Sequence, residues 1–287
     1  MRVSASSYSF NRLLVNGTET QFSVISIAKE LGFDDMEFVN VLPPEGTSKE
    51  EYAKQLREEC ERLGMGISSY TFAADLFQLT EEAQREEIER VKNQVDIAEI
   101  LGVKILRHDA TFDRKGKTFE ETLPTVAAAC REITEYAEKK GIKTTVENHG
   151  HVYQDSLRVE KLCNAVNHPN FGLLCDMGNF ICVDEDPAKA VSLVAPYTFY
   201  VHAKDFHLKP GTGTNPGEGF AMTRGGNYRR GAIIGHGDIP IKCCLQALKM
   251  AGYKGGIAIE FEGMEDNVKA LEIGLANLRR YIEEVGI

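Results

Sequence analysis

One rhythm runs through this chain and narrows its folds more than any other feature. A short apolar, β-rich run leads into a turn and then an amphipathic helical stretch; the helix stops at a glycine and the next apolar run begins. The strand candidates are Val3–Ser9, Asp35–Val39, Gly66–Phe72, Val103–His108, Lys143–Glu147, Gly172–Asp176, Phe199–His202 and Gly256–Phe261. Between them the apolar positions recur with helical spacing, as in Tyr52, Leu56, Cys60 and Leu63, or Leu271, Leu275, Leu278 and Ile282. Gly32, Gly64, Gly102, Gly141 and Gly252 each stand where a helix would end, the position at which a left-handed cap favours glycine.

Strand, helix and strand in strict alternation imply a parallel sheet. The 287 residues divided among eight units match the usual size of an eightfold barrel. A doubly wound open sheet would carry a glycine-rich phosphate turn after its first strand, whereas Tyr8-Ser9-Phe10-Asn11-Arg12 follows here. The expected fold is therefore α/β, a single (β/α)8 TIM barrel over residues 1–287. One segment departs from the rhythm. A βα loop at about 207–238 has no clear periodicity; its stretch His207–His236 holds Lys209, Arg224, Arg229 and Arg230 against Glu218. After the seventh strand of a barrel, such a loop lies on the catalytic face and is expected to cover a substrate.

Composition excludes several classes. The net charge is −10, from 43 acids against 33 bases, which disfavours a nucleic-acid partner. No apolar run approaches the ~18 residues of a membrane helix, so no membrane partner is expected. The seven cysteines form no CxxC and fall within helical and strand patterns, as expected of reduced, buried thiols in a cytoplasmic protein.

Chemistry gathers at the ends of the later strands. Apolar runs end at Glu147, Asp176 and His202 and reach Glu260. Ionisable groups at the ends of buried strands are costly unless paired or bound to a metal, and in a parallel barrel these four converge on one mouth. Three carboxylates and one imidazole make a hard donor set, suited to one divalent metal, Mn²⁺ or Mg²⁺, with Zn²⁺ or Co²⁺ as alternatives.

With these residues in order, Val-Glu-Asn-His (146–149), Cys-Asp-Met-Gly-Asn (175–179), His-Ala-Lys-Asp (202–205), Gly-His-Gly-Asp-Ile-Pro (235–240) and Ile-Glu-Phe-Glu (259–262), the chain resembles the xylose isomerase-like barrel superfamily, within it the sugar phosphate isomerase/epimerase group. The resemblance implies that Glu147, Asp176, His202 and Glu260 hold one divalent metal, preferably Mn²⁺, and that Glu147 and Glu260 double as an acid/base pair. It implies a sugar, sugar phosphate or polyol substrate, and a homo-oligomer, dimer or tetramer. Moving a proton next to a carbonyl builds up an enediolate, whose charge a divalent cation stabilises. Two carboxylates on opposite sides of the substrate permit epimerisation; one base permits isomerisation or β-elimination. A metal-dependent isomerase or epimerase is expected first, a dehydratase of the inosose or 3-dehydroshikimate type second, and an endonuclease IV-like abasic-site nuclease as a remote third. That third branch needs further histidines early in the chain, and His108 is the only one before His149.

Two positions depart from the ketose 3-epimerases. Asn179 stands where they carry a histidine, and Leu208 where they carry an arginine. Expected substrate contacts are His108 and Glu37 at strand ends, Lys204, Asn179, His236 in the Gly-His-Gly-Asp motif, and Arg229, which could grip an anionic group. Asn148 is expected to support the metal ligands. His149 and His151 are read as solvated loop residues.

Overall fold

A computed structural model describes residues 1–287. Eight parallel strands close into a barrel: β1 (Val3–Ser6), β2 (Asp35–Val39), β3 (Gly66–Phe72), β4 (Ile105–His108), β5 (Lys143–Glu147), β6 (Phe171–Asp176), β7 (Thr198–Ala203) and β11 (Ile257–Ile259). They run around the barrel in chain order, β11 pairing β1 to complete it. The principal helices outside it are α2 (Gln21–Leu31), α3 (Lys49–Arg62), α4 (Glu81–Leu101), α5 (Phe119–Glu138), α6 (Ser156–Val166), α7 (Pro187–Val194), α8 (Ile241–Met250) and α9 (Asn267–Val285), with a short α1 (Asn11–Val15) after the first strand. The single (β/α)8 barrel expected from the rhythm is present. All five cap glycines have positive φ, between 64° and 92°. The first strand is shorter than expected, because Ser6 caps a short 3₁₀ turn over Ser7–Phe10.

Two apolar regions follow from strand alternation. Outward-facing residues join the inner helix faces in one large core. Inside the barrel, Leu174, Tyr200 and Ala258 form a small separate cluster, with Ile105 packed against it. One strand step of two residues towards the C-terminal mouth takes each of these positions to Asp176, His202, Glu260 and Arg107. A plug of apolar side chains thus forms the floor beneath a layer of charged ones.

The segment expected as a loop at 207–238 contains a small sheet. Strands β8 (Asp205–Lys209), β9 (Ala221–Met222) and β10 (Tyr228–Ala232) form an antiparallel three-stranded sheet in the order β8-β10-β9. Asp205 anchors its return. Its buried carboxylate accepts hydrogen bonds from the amides of Phe206 (2.9 Å), Gly235 (2.8 Å), Gly237 (3.0 Å) and Ile239 (3.1 Å). A Cβ at Gly237 would lie 2.2 Å from Asp205 Oδ1, so only glycine lets the backbone come this close. The Gly-His-Gly-Asp motif is therefore a structural clasp around Asp205, and His236 projects into solvent.

Removing that carboxylate would leave buried amides unpaired. Asp205→Ala is expected to lower unfolding free energy by about 3 kcal/mol, read from urea denaturation. A change within about 0.5 kcal/mol would show that the clasp does not hold the sheet.

Candidate metal centre and active-site cavity

The register of the sheet brings the four strand-end residues together. Asp176 on β6 pairs with His202 on β7, His202 pairs with Ala258 on β11, and Glu260 follows two residues later on the same face. Glu147 ends β5, next to β6. One donor atom from each of Glu147, Asp176, His202 and Glu260 lies within 4.8 Å of the others, and all four residues are buried. Nδ1 of His202 faces Glu260 at 3.6 Å and Glu147 and Asp176 at 3.8 Å. Those distances are too long for hydrogen bonds.

The donor atoms are aimed by their neighbours. Asp176 Oδ1 accepts from the amides of Gly178 (2.8 Å) and Asn179 (2.9 Å), which turns Oδ2 into the cluster. Gly178 is required there, since a Cβ would lie 2.8 Å from the Lys204 carbonyl. Asn148 clamps the same strand end, donating to the Asp176 carbonyl (2.9 Å) and accepting from its amide (2.8 Å). His202 Nε2 donates to Glu37 at 2.9 Å, and Glu37 also accepts from Ser69 Oγ at 2.6 Å. With a proton on Nε2, Nδ1 is the nitrogen left facing the three carboxylates, to take either a proton or an ion. A carboxylate behind a histidine in this way fixes the tautomer of a metal-binding imidazole.

The residues fit a divalent cation. His202 Nδ1 is buried with no hydrogen-bond partner, and Asp176 Oδ2, also buried, makes no aligned hydrogen bond, its nearest cation being Lys204 at 3.1 Å. Buried polar atoms are seldom left so unless an ion or water meets them. Three carboxylates packed this closely also repel one another, and a dication among them would relieve that repulsion.

Two fixed cations share the load. Arg107 lies 2.5 Å from Glu147 Oε2 and 2.8 Å from Asp109 Oδ1. Lys204 lies 2.5 Å from Glu260 Oε2, 3.1 Å from Asp176 Oδ2 and 3.2 Å from Asn179 Oδ1. Burial works against ionisation of the glutamates. Arg107 outweighs it at Glu147 and brings the carboxyl down to about 2, while Lys204 and His202 hold Glu260 well below its ordinary value. Burial likewise disfavours a charged His202, but Glu37 and Glu260 raise its proton affinity well above the usual imidazole range. Protons and a metal would therefore compete for Nδ1.

Above the cluster opens a cavity of about 210 Å³. Glu147, Glu260 and Lys204 line it, whereas Asp176 and His202 lie beneath. Its wall adds Arg107, Asp109, His149 and Glu262, with Phe72 and Phe112 supplying apolar surface.

Several sequence-predicted contacts are placed differently. Glu37 is fully buried behind His202 and does not line the cavity. His108 is one residue out of phase: it shares the outward parity of Leu106, and its Nδ1 meets the Asp109 carbonyl at 2.9 Å. Burial lowers its pKa to about 4, leaving it neutral. Arg107 takes the inward position instead. Asn179 donates to Glu147 Oε1 at 2.8 Å, so it touches a ligand carboxylate. Arg229 pairs with Glu262 at 3.2 Å outside the cavity wall, and His236 is exposed. Conversely, His149 is a cavity residue, its Nδ1 2.9 Å from Asp109 Oδ1. It continues the inward parity of Glu147, as Glu262 continues that of Glu260; that period of two is the signal in the sequence that marks both.

A family model for the xylose isomerase-like TIM barrel matches residues 25–281. An inosose dehydratase from Geobacillus thermodenitrificans is 23% identical over 244 residues, 80% of each chain. An L-ribulose-5-phosphate 3-epimerase from Salmonella heidelberg is 22% identical over 264 residues, 88% of this chain and 86% of that one. The crystal structure of the IOLI protein with a bound zinc atom superposes with a TM-score of 0.76 at 18% identity, covering 99% of this chain and 98% of the other. No helix is long and apolar enough to cross a membrane.

The arrangement predicts that Glu37→Gln weakens Mn²⁺ or Zn²⁺ binding by about 10- to 100-fold, measured by competition with a fluorescent chelator. Unchanged affinity would remove Glu37 from the support of the metal-binding histidine.

Proposed function

The chain belongs to the xylose isomerase-like TIM barrel family, and from that premise we propose that it is a divalent-metal-dependent isomerase or epimerase of a sugar or polyol, moving a proton next to a carbonyl. One observation carries the reading. Of the four metal-competent residues, only Glu147 and Glu260 also line the cavity. The two groups that could both hold the ion and reach a substrate are carboxylates, on strands separated by those of Asp176 and His202.

Bound at Glu147, Asp176, His202 and Glu260, a divalent ion, Mn²⁺ by preference, would supply electrostatic stabilisation of the negative charge that develops on substrate oxygens. The side chains do the rest. Arg107 and Lys204 keep both glutamates ionised at neutral pH, the form in which either can act as a base. One glutamate removes the proton from the carbon beside the carbonyl, and the other returns one from the opposite side. Phe72 and Phe112 meet the C–H surface of a sugar and keep water from the reacting carbon.

A second reading, a dehydratase, is favoured by the Asp109–His149 pair. Elimination of a hydroxyl needs a proton donor at the leaving oxygen. Asp109 orients His149 through Nδ1, leaving Nε2 as the ring nitrogen for a ligand. The nuclease reading has no comparable support, since the chain carries one metal-competent cluster and His108 lies off the cavity. Family resemblance also supports a homo-oligomer, and seven cysteines without a disulfide support a cytoplasmic setting; we include both in the proposal.

Glu147→Gln and Glu260→Gln are each expected to slow deuterium wash-in from solvent by about a thousandfold across a panel of ketoses and inososes. A rate near wild type in either variant would overturn its acid/base role. Chelation is expected to abolish exchange and Mn²⁺ to restore it; full activity in metal-free protein would refute the metal assignment.

A further inference from the structure

The cavity contains no guanidinium or ammonium group left over for an anion. Arg107 spends its two terminal nitrogens on Asp109 (2.8 and 3.3 Å) and Glu147 (2.5 Å). Lys204 is surrounded by Glu260 at 2.5 Å and Asp176 at 3.1 Å, with Asn179 at 3.2 Å. At the mouth, Arg229 lies with its guanidinium 4.8 Å over the Phe206 ring and gives its hydrogen bond to Glu262 at 3.2 Å. Opposing these, Asp109, Glu147, Glu260 and Glu262 all face the cavity. Glu262 stands apart from the other three. It belongs to neither the metal cluster nor the Arg107 network, its side chain is 25% exposed, and its second oxygen lies 3.9 Å from Lys204.

A phosphate or carboxylate entering here would meet Glu262 at the mouth. Arg107 and Lys204 could serve it only by giving up a buried pair, leaving another carboxylate uncompensated, which is costly. A hydroxyl has no such difficulty, since it donates to a carboxylate and can accept from the Tyr8 phenol, also in the wall. We propose that the substrate is an uncharged polyhydroxy ketone, and that Glu262, held by Arg229, is the specificity-determining residue that turns anionic sugars away. This inference rests on the sugar-directed proton transfer proposed above, and it selects among the chemistries that reading leaves open.

The test uses the full-length protein loaded with Mn²⁺ and sugars matched except for charge: L-ribulose against L-ribulose-5-phosphate, and D-fructose against D-fructose-6-phosphate. Binding is read by calorimetry and turnover by deuterium wash-in. The neutral member of a pair is expected to bind at least about tenfold more tightly, and to be the one that exchanges. Glu262→Gln is expected to narrow that ratio at least about fivefold by raising the affinity for the phosphorylated member. If the phosphorylated sugar binds as well or better and exchanges, the proposal on substrate charge fails while the proton-transfer reading stands. A ratio unchanged in Glu262→Gln removes that residue from the selection. If no sugar of either kind binds or exchanges, the underlying reading fails and this inference with it.

Discussion

Three carboxylates that cannot comfortably share a buried space determine the character of this molecule. Glu147, Asp176 and Glu260 are brought by the closed sheet to within a few ångströms of one another and of His202 Nδ1. Their repulsion in a low-dielectric interior has to be answered by positive charge, and the surroundings are arranged to answer it. Arg107 and Lys204 each approach a glutamate to 2.5 Å, and Glu37 turns Nδ1 of His202 towards the cluster. What those groups leave without a hydrogen bond is His202 Nδ1, 3.8 Å from Asp176 Oδ2, an oxygen whose one cationic neighbour is Lys204 at 3.1 Å.

The scaffold's part is alternation. On β7 the inward residues are Tyr200 and His202, continued by Lys204; on β11 and beyond they are Ala258, Glu260 and Glu262. Each strand thus contributes floor, ligand and wall in succession, and neighbouring strands place like layers side by side. The same regularity explains what was legible in the sequence. The barrel and the four ligands could be read because helix-glycine-strand repetition and an ionisable residue closing an apolar run are both local signals. At the end of β4, His108 reads as the inward residue, whereas the parity set by Ile105 gives that place to Arg107. His149 reads as loop, though it follows Glu147 by two and keeps its parity. An error of one residue in a strand exchanges core for cavity.

Other features were hidden because they depend on contacts distant in sequence. Glu37 reads equally well as a substrate contact until β2 is seen to place it behind a histidine 165 positions away. The glycines around His236 suggest a mobile binding loop; their role is to let four amides crowd onto the Asp205 carboxylate. The sheet formed by β8, β9 and β10 carries little hydrophobic alternation, and it is held by antiparallel pairing of β8 and β9 to β10 and by that clasp. Charge in this region is paired internally too: Arg229, which reads as an anion grip, gives one hydrogen bond to Glu262. The relatives named above include a dehydratase and a phosphosugar epimerase, so the barrel and metal cluster alone do not select a reaction. The cavity wall, with its excess of carboxylates and its Asp109–His149 pair, is where this chain's own chemistry is set.

Anomalous X-ray diffraction from crystals grown with Mn²⁺, measured at the manganese absorption edge, tests the account most directly. One strong peak per chain is expected, in contact with Glu147, Asp176, Glu260 and Nδ1 of His202. A peak elsewhere, or none at saturating manganese, would contradict it.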